Sequence, residues 1–326
     1  MTSTLASGIV HLGRGEFDIL RTYTDILKRD EEITMPLATI EALVSLLESS
    51  NATTMSEFTD IIQRGIQVLK GAVNNRISVA AGCDLFQSSV TREVNGGKDF
   101  DVCKRSLISN AKLFSSQARQ CRSKISRIGK NIIKDNSTIL IHSFSRVVTA
   151  ILLHAASQNT RFKVFVTEGR PTNGGKKACQ KLNEMKIPTC MILDAAVGYV
   201  MGMVDLVLVG AEGVVESGGL INQLGAYQLS VLARTCHKPF YAAAESHKFI
   251  RLFPLSQYDL PTAHLILKFS TDYQSKDGSA PNPGSIDSLD NPALDYTPPE
   301  YISGLITDLG VLTPSAVSEE LIRRYL

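Results

Sequence analysis

The sequence contains no tryptophan, and its six cysteines include no CxxC pair. No histidine stands at metal-ligand spacing from these cysteines, so the pattern argues against a metal site. Their scatter is typical of reduced, mostly buried thiols rather than of a disulfide framework. No uninterrupted apolar run reaches the ~18 residues that a membrane span requires. The first residues lack a basic segment followed by an apolar core, so we expect no signal peptide. These absences predict a soluble, cytosolic protein.

The sequence also lacks a clear excess of either sign of charge. The chain has 34 Lys and Arg against 32 Asp and Glu, a formal net charge of +2 at pH 7. That excess is too small to indicate DNA binding by itself. Apolar residues account for 44% and charged residues for 20% of the 326 positions, as in ordinary globular proteins. This length suffices for one large domain or for two smaller ones.

Up to about residue 135 the apolar residues recur with a helical period. Pro36 stands where the first turn of a helix tolerates proline, and Thr54 with Glu57 three residues later has the pattern of a capping box. The longest stripe covers residues 107–132 at alternating steps of four and three. It predicts one long helix packed on other helices. We therefore expect an N-terminal helical domain over residues 1–135.

One segment of this domain has charge of a single sign. From Lys104 to Lys134 the sequence contains nine Lys or Arg residues and no Asp or Glu. The simplest reading is a solvated helix face. A second reading is a docking surface for an acidic or phosphorylated partner, in which Arg119, Arg122 and Arg127 would pair with phosphate. RNA is a third reading, which the scarcity of aromatic residues here disfavours because base stacking needs them.

From residue 137 the period changes, and short β-rich runs alternate with helical patterns. The runs cover residues 137–142, 162–167, 188–193, 205–210 and 239–244. Helical patterns lie between them, for example over 174–185 and 221–236. This alternation predicts a doubly wound, Rossmann-like α/β domain with a parallel sheet over residues 136–326. Within it, the Gly-, Pro-, Ser- and Asp-rich segment 271–301 predicts a mobile surface loop, and 315–325 predicts a final helix.

Polar residues and a glycine turn follow several of the predicted strands. Ligands of doubly wound sheets bind beyond the carboxyl ends of the strands. A rim of this composition suits a small phosphorylated ligand, such as a sugar phosphate or a nucleotide monophosphate, and we expect no other cofactor. The candidate ligand-binding residues are His142, Ser143, Arg146, Glu212, Gly218, Asn222 and Lys248. Glu168, Asp194 and Glu245 also follow strands.

Two glycine-rich runs come close to nucleotide-binding motifs without matching them. A GxxxxGK[ST] motif ending at Lys176 requires Gly at position 170 and Ser or Thr at position 177, where this chain has Arg170 and Lys177. The run GAEGVVESGG likewise fails GxGxxG. These mismatches argue against nucleotide hydrolysis and against dinucleotide redox chemistry.

Ser143 is also a poor candidate for a nucleophile. A serine nucleophile needs a base within hydrogen-bond reach and a group that orients the base. His142 is its neighbour in sequence, and adjacent residues of a strand point to opposite faces. The GxSxG elbow is absent too. A structural histidine and a buried or helix-capping serine are the better readings, so the segment HSFSR is predicted to seat a ligand.

Several segments carry a resemblance to a known family. They read ILIHSFSRVV, VTEGRPTNGGKK, LDAAVGYVM, DLVLVGAEGVVESGG, KPFYAAAESHKF and ITDLGVLTPSA. Together they resemble the regulatory subunits of the guanine-nucleotide exchange factor for eukaryotic translation initiation factor 2, over nearly the whole chain. The run GAEGVVESGG and the compact ending are most similar to the alpha-subunit branch of that family.

The resemblance implies a noncatalytic regulatory subunit of the cytosol. It implies a homodimer formed through the α/β domains, which bridges copies of an assembly with beta, gamma, delta and epsilon subunits. It further implies that the helical domain helps to sense translation initiation factor 2 phosphorylated on its own alpha subunit. Such a subunit would turn the exchange factor down under stress.

The same fold family includes ribose-1,5-bisphosphate isomerase and methylthioribose-1-phosphate isomerase. Those enzymes carry a catalytic cysteine after the first strand and an aspartate after the fourth, where this chain has Ser143 and Glu212. A serine hydroxyl is far less acidic than a thiol, whose reference pKa is about 8.5, so the resemblance implies that proton transfer is lost. Sugar-phosphate binding is implied to survive, because Arg146, Asn222 and Lys248 remain. The alternative function is an aldose–ketose isomerase of sugar phosphates.

Overall fold

The computed structural model describes residues 8–12, 15–73, 76–95, 99–261 and 292–325. The chain starts with an antiparallel hairpin of β1 (Ile9–His11) and β2 (Glu16–Asp18). The helices that follow are α1 (Ile19–Arg29), α2 (Met35–Ser49), α3 (Met55–Ala72), α4 (Arg76–Asn95), α5 (Phe100–Arg119) and α6 (Cys121–Lys130). The helical N-terminal region that the period predicts is therefore confirmed.

Local signals explain the start of two of these helices. Pro36 occupies the first turn of α2, as predicted. At the start of α3 the Thr54 hydroxyl accepts a hydrogen bond from the backbone N–H of Glu57 at 3.3 Å. The Glu57 carboxylate accepts from the N–H of Thr53 at 3.2 Å rather than from that of Thr54. The predicted capping box is thus present in its first half only.

The stripe predicted to form one long helix forms two, α5 and α6, which are separated at Gln120. There the backbone N–H of Gln120 bonds to the carbonyl of Gln117, three residues back, which is the tighter 3₁₀ pattern. Because Ala118 and Cys121 are buried on both sides of the break, the apolar spacing does not reveal it. The single long helix was therefore a wrong prediction.

The remaining chain alternates strands and helices. Its strands are β3 (Ser137–His142), β4 (Phe162–Thr167), β5 (Thr189–Ile192), β6 (Leu206–Val209), β7 (Gly213–Val214), β8 (Leu220–Gln223), β9 (Phe240–Ala243), β10 (Leu294–Thr297), β11 (Gly304–Thr307) and β12 (Gly310–Leu312). Its helices are α7 (Arg146–Ser157), α8 (Gly174–Glu184), α9 (Val197–Val200), α10 (Ala226–Thr235) and α11 (Ala316–Tyr325). The five predicted strands and the final helix are confirmed, with bounds that shift by one residue or not at all.

Seven strands form one sheet in the order β12-β11-β9-β6-β3-β4-β5. Neighbouring strands are parallel except for the edge pair β11 and β12. The chain winds outward from β3 through β4 to β5, returns to β6 beside β3, and then winds the other way. This order confirms the doubly wound fold and puts its topological switch point between β3 and β6. Such a switch point opens a crevice at the carboxyl ends of the two strands.

A second, antiparallel sheet of β10, β8 and β7 corrects two expectations. Residues 220–223, which overlap the helical pattern read over 221–236, are strand β8, and helix α10 begins only at Ala226. Residues 294–297, expected in a mobile loop, are strand β10. They pair with β8, and the Gln257 side chain accepts a hydrogen bond from the backbone N–H of Tyr296 at 2.7 Å. This pairing is tertiary, so composition did not predict it. The predicted loop residues 271–291 lie outside the described residues.

Each part of the chain has a core of its own, and a smaller cluster, in which Ile77 of α4 meets Val215 and Ile221, connects them. Buried side chains of α1 to α5, such as Leu43 and Ile62, form one cluster. Helix α6 leaves that cluster and packs on α7, where Ile125 shares a core with Ile139 and Ile151. By packing, α6 therefore belongs with the sheet, although it precedes the boundary expected at residue 135.

Two other expectations concern the burial of the thiols and the presence of a membrane-spanning helix. All six cysteines are free, and Cys83, Cys103 and Cys121 are buried, whereas Cys190 and Cys236 are exposed. The expectation of mostly buried thiols is thus right for half of them. Within the described ranges, the helices are too short or too polar for any of them to span a lipid bilayer.

Candidate functional site

A cavity of about 200 Å³ opens at the switch point of the sheet. It lies beyond the carboxyl ends of β3 and β6, where the chain passes into α7 and β7. Its wall consists of His142, Phe144, Ser145, Arg146, Val147, Gly210, Ala211, Glu212, Asn222, Gln223, Glu245 and Lys248. Five of the seven residues predicted to bind a ligand line this cavity, namely His142, Arg146, Glu212, Asn222 and Lys248. The cavity is smaller than most drug-sized sites, so it suits a small ligand.

His142 is a neutral, hydrogen-bonded histidine of the cavity wall. Its Nε2 lies 2.8 Å from the carbonyl oxygen of Leu224, which can only accept, so Nε2 carries the proton. Its Nδ1 therefore accepts from the hydroxyl of Thr167 at 2.7 Å. Burial lowers the pKa of His142. With both ring nitrogens engaged, the imidazole has no free nitrogen to serve as a base.

Ser143 lies behind the cavity wall rather than on it. Its φ of 53° is in the left-handed region, and its hydroxyl oxygen is buried without a hydrogen-bond partner. A Cβ added to Gly169 or to Gly174 would overlap that oxygen, so the two glycines enclose the side chain. The predicted ligand contact of Ser143 is therefore not among the contacts that the cavity offers.

Arg146 joins the cavity to the helical part. The neighbouring Ser145 hydroxyl caps α7 by accepting from the N–H of Val148 at 3.4 Å, and Arg146 follows as the first residue of the helix. The Nη1 of Arg146 donates to the carbonyl oxygens of Glu31 at 2.9 Å and Ile33 at 2.6 Å. Both acceptors lie in the turn between α1 and α2. The guanidinium thus has one nitrogen on the turn and its other donors left for the cavity.

Lys248 and Glu245 form a buried ion pair in the cavity wall. The Nζ of Lys248 lies 3.1 Å from the Glu245 carboxylate and donates to the carbonyl of Ala211 at 2.8 Å. Burial by itself raises the pKa of Glu245, but the charges of Lys248, His247 and Arg122 outweigh it and lower the pKa to about 2. Glu245 is therefore a carboxylate at neutral pH. The sequence marks Glu245 as a strand-end residue, but it was not among the predicted ligand contacts.

The opposite wall supplies uncharged amides and one more carboxylate. The Oε2 of Glu212 accepts from the hydroxyl of Ser78 in α4 at 2.9 Å, which ties this wall to the helical part. Asn222 is buried in β8, and Gln223 accepts from the Thr172 hydroxyl at 3.3 Å. Cations and amides of this kind can bind the phosphate and hydroxyl groups of a small sugar. Within the described residues, no group of three or more His, Cys, Asp or Glu side chains is arranged to hold a metal ion.

Gly218 lies away from the cavity and has a different role. Its φ of 81° is in the region that favours glycine, and a Cβ there would overlap the backbone carbonyl of Pro314. The prediction that Gly218 contacts the ligand therefore finds no counterpart in the cavity wall. Gly218 allows the turn before β8 to pack against the segment that leads into α11.

On the basic face of α5 and α6, three of the nine basic residues between Lys104 and Lys134 are paired with carboxylates of the same chain. Arg119 pairs with Asp30 and with Glu41, and Arg122 pairs with Glu32. Lys112 likewise pairs with Glu48 at 2.6 Å. Arg127 is exposed, and within the described part of the chain no hydrogen bond or ion pair engages its side chain. The role of Arg119, Arg122 and Arg127 in partner binding stays a prediction, and Arg127 is the most available of the three.

The comparison with known proteins agrees with the resemblance seen in the sequence. The pattern of the Initiation factor 2 subunit family, IF-2B, matches residues 28–314. A protein of Dictyostelium discoideum, translation initiation factor eIF2B subunit alpha, is 41% identical over 95% of this chain and 98% of its own length. The eIF2B subunit alpha of Caenorhabditis elegans is 34% identical over 94% of this chain and 98% of its own.

More distant matches lie among enzymes and solved structures. The ribose 1,5-bisphosphate isomerase of Pyrococcus furiosus is 29% identical over 87% of this chain and 86% of its own. A chain in the tetrameric eIF2B-beta2-delta2 complex of C. thermophilum has the same fold, with a TM-score of 0.75 at 17% identity over 94% of both chains. The family match spans most of the sequence, and the alpha-subunit relatives match it nearly end to end. The chain therefore belongs to the initiation factor 2 subunit family.

Proposed function

We propose that this chain is a noncatalytic, regulatory subunit of the alpha type in the eIF2B exchange factor, with a seat for a small phosphorylated ligand at the sheet edge. The full-length match to alpha subunits supports the regulatory role, since the isomerase match is weaker. One structural observation carries the noncatalytic part. At the position of the isomerase cysteine, the Ser143 hydroxyl is enclosed, has no hydrogen-bond partner and does not line the cavity.

An isomerase is the alternative function, and the cavity makes it testable. The purified chain is incubated with ribose 1,5-bisphosphate, and ketose formation is followed alongside an authentic isomerase as positive control. Binding is measured on the same sample by calorimetry, with ribose 5-phosphate as a second probe. Binding without turnover supports the regulatory subunit. Turnover at an enzymatic rate that is abolished by Glu212→Ala would establish the isomerase instead.

A homodimer formed through the sheet part belongs to this proposal. Large apolar side chains are exposed on and after the edge strand β5, with Met191 at 54%, Leu193 at 63%, Tyr199 at 88% and Met203 at 55% exposure. An exposed apolar set on one edge is typical of a protein interface. Sedimentation is expected to give a dimer for the natural sequence and a monomer for the double variant L193D/Y199D. The variant L113D, at an exposed apolar position of α5, is the matched control and should stay dimeric.

The proposal further holds that the chain works in the cytosol and binds phosphorylated translation initiation factor 2 selectively. This binding would inhibit nucleotide exchange under stress. The exposed Arg127 of α6 is the side chain best placed for pairing with phosphate. We expect Arg127→Glu to reduce the preference for the phosphorylated partner in a pull-down with both forms of that factor. Arg161→Glu, at an exposed position outside this face, is the control. An unchanged preference in R127E would remove this face from the proposal.

A further inference from the structure

The turn between α1 and α2, residues 30–34, is held from both parts of the chain. Ile33 is buried in the helical core, and side chains of the sheet part contact the turn from the other side. Its sequence is DEEIT, and its backbone makes only short internal bonds, such as the N–H of Ile33 to the carbonyl of Asp30 at 3.2 Å. Turns with so few internal contacts are usually among the less stable elements of a fold. Beyond the helical core, the support of this turn comes from elements that build the sheet-edge cavity.

Arg146 supplies the most direct of these supports. It lines the cavity and, through Nη1, donates to two carbonyls of the turn, those of Glu31 and Ile33. No other described residue accepts a hydrogen bond from this guanidinium. An arginine has five N–H donors in a fixed plane, so one guanidinium can hold the turn and an anion in the cavity at the same time.

Two further connections run from the segment 245–248 to the turn. His247, one residue before the cavity lysine Lys248, is buried, and its Nε2 lies 2.9 Å from the hydroxyl of Thr34. The carboxylate of Glu245 lies 3.9 Å from Arg122, whose Nη2 donates to the carbonyl of Glu32 at 2.9 Å. The turn is therefore connected both to Arg146 and to the segment that carries Lys248, the two cationic residues of the cavity wall.

We propose that the cavity and the turn form one coupled unit, in which an anion bound in the cavity holds Arg146 in place and so stabilises residues 30–34. The inference rests on the proposed ligand seat. Its physical basis is the conformational entropy of the Arg146 side chain, which is lost when the side chain is fixed. Once the turn or the anion has fixed Arg146, the other can bind it without that loss. Coupling of this kind is reciprocal, so loosening the turn must weaken ligand binding by the same factor.

The same turn also controls charges on the basic face. Its Asp30 pairs with Arg119, and its Glu32 pairs with Arg122. A turn that is held in place keeps both carboxylates on these arginines. A released turn removes Glu32 from Arg122 and leaves Arg119 with Glu41 of α2 alone. Occupancy of the cavity is in this way transmitted to the surface of α5 and α6.

Hydrogen exchange on the full-length chain tests the coupling without any substitution. Ribose 5-phosphate and inorganic phosphate serve as the probes, and mass spectrometry follows the peptides that cover residues 30–34. We expect slower exchange in the turn at saturating ribose 5-phosphate, by at least about threefold, with no change in peptides from α3. Binding of the probe with unchanged exchange in the turn would overturn the coupling and leave the ligand seat standing.

The reciprocal arm measures ligand affinity in turn variants that do not touch the cavity. We expect the double variant E32Q/T34V to bind ribose 5-phosphate at least about fivefold more weakly, in the range of ordinary allosteric couplings. The control E48Q removes the same charge from an ion pair elsewhere on the helical part and should bind normally. Equal affinity of all three proteins would contradict the coupling. Failure of the natural chain to bind either probe at millimolar concentration overturns the ligand seat and the coupling together.

Discussion

The carboxylate of Glu245 and the ammonium of Lys248 form an ion pair inside the protein, with side chains that are only 2% and 12% exposed. Removal of one charge leaves the other buried and uncompensated, which costs about 3–5 kcal/mol in proteins. We therefore expect Glu245→Gln to lower the free energy of unfolding in urea by about that amount. The exposed pair of Lys181 and Glu184 provides the control, since Glu184→Gln should cost less than about 1 kcal/mol.

The same pair predicts how stability depends on acid. The pKa of Glu245 in the folded protein, about 2, lies below its ordinary value of 4.5. Its contribution is therefore complete above about pH 4.5 and is lost as the pH falls towards 2. Urea unfolding between pH 5 and 3 should show a steeper loss for the natural chain than for E245Q. Parallel curves would mean that this carboxylate does not carry the acid dependence.

Asp295 predicts a pH dependence of opposite sign. Burial raises its pKa from 3.8 to about 7, against the lowering effect of the backbone N–H groups of Tyr227 and Gly225, which its Oδ2 accepts at the start of α10. Between about pH 4 and 7 the folded protein keeps a proton that the unfolded chain releases. Stability from this group is therefore lost as the pH rises towards and through 7.

The substitution Asp295→Asn isolates this effect, because the amide oxygen can still accept both N–H groups. We expect D295N to unfold with a flatter pH dependence between pH 5 and 8 and to be the more stable protein at pH 8. Asp101→Asn, at an exposed position of α5, should retain the natural slope. A D295N protein with the natural slope would assign the pH dependence to another group.

Gly218 is expected to matter for folding rather than for ligand binding. In Gly218→Ala the new methyl group meets the carbonyl of Pro314 and the residue is held at a φ of 81°, so we expect a loss of about 3 kcal/mol or more. Gly198→Ala in α9, where a Cβ meets no atom within 4 Å, should be neutral or slightly stabilising. Thermal unfolding distinguishes the two. A stable G218A protein that has lost affinity for ribose 5-phosphate would restore Gly218 as a ligand contact.

The buried hydroxyl of Ser143, by contrast, is expected to contribute little to the free energy of unfolding. Its hydroxyl has no partner to lose, so Ser143→Ala should change the free energy of unfolding by less than about 0.5 kcal/mol. Ser143→Thr adds a methyl group between Gly169 and Gly174 and should cost about 1–3 kcal/mol by overpacking. Urea unfolding of both variants checks the pair. A large loss in S143A would reveal a hydrogen bond to bound water.

The fold was predictable to the extent that each element carries its own periodic signal. The strand from Phe162 to Thr167 and its neighbours are short β-rich runs, and their alternation with helices predicts a doubly wound parallel sheet. What the sequence did not reveal depends on contacts between distant residues. Strand β10 exists because residues 294–297 pair with β8, and the break at Gln120 leaves the apolar stripe intact.

The candidate site was predictable where its residues follow strands of the sheet. The prediction failed where contacts between distant residues decide the position of a side chain. Arg146 and Lys248 follow strands β3 and β9, which end at one edge of the sheet, so topology brings them together. Asn222 reaches the same cavity from within β8. Ser143 follows a strand too, but its left-handed backbone turns the side chain towards Gly169 and Gly174. In the sequence Glu245 is a strand-end carboxylate like Glu168 and Asp194. Its place in the cavity wall is evident only from its burial beside Lys248 and Arg122.

The break at Gln120 separates two helices that pack on different parts of the chain. Helix α5 is anchored among the helices by Leu107, whereas α6 is anchored on the sheet by Ile125 and by Gly129, where a side chain would collide with Ile151. The break therefore lets one continuous stretch of chain contribute side chains to two cores in different parts of the molecule. A sequence pattern that looks like one rigid rod is thus two helices, each fixed by its own buried neighbours.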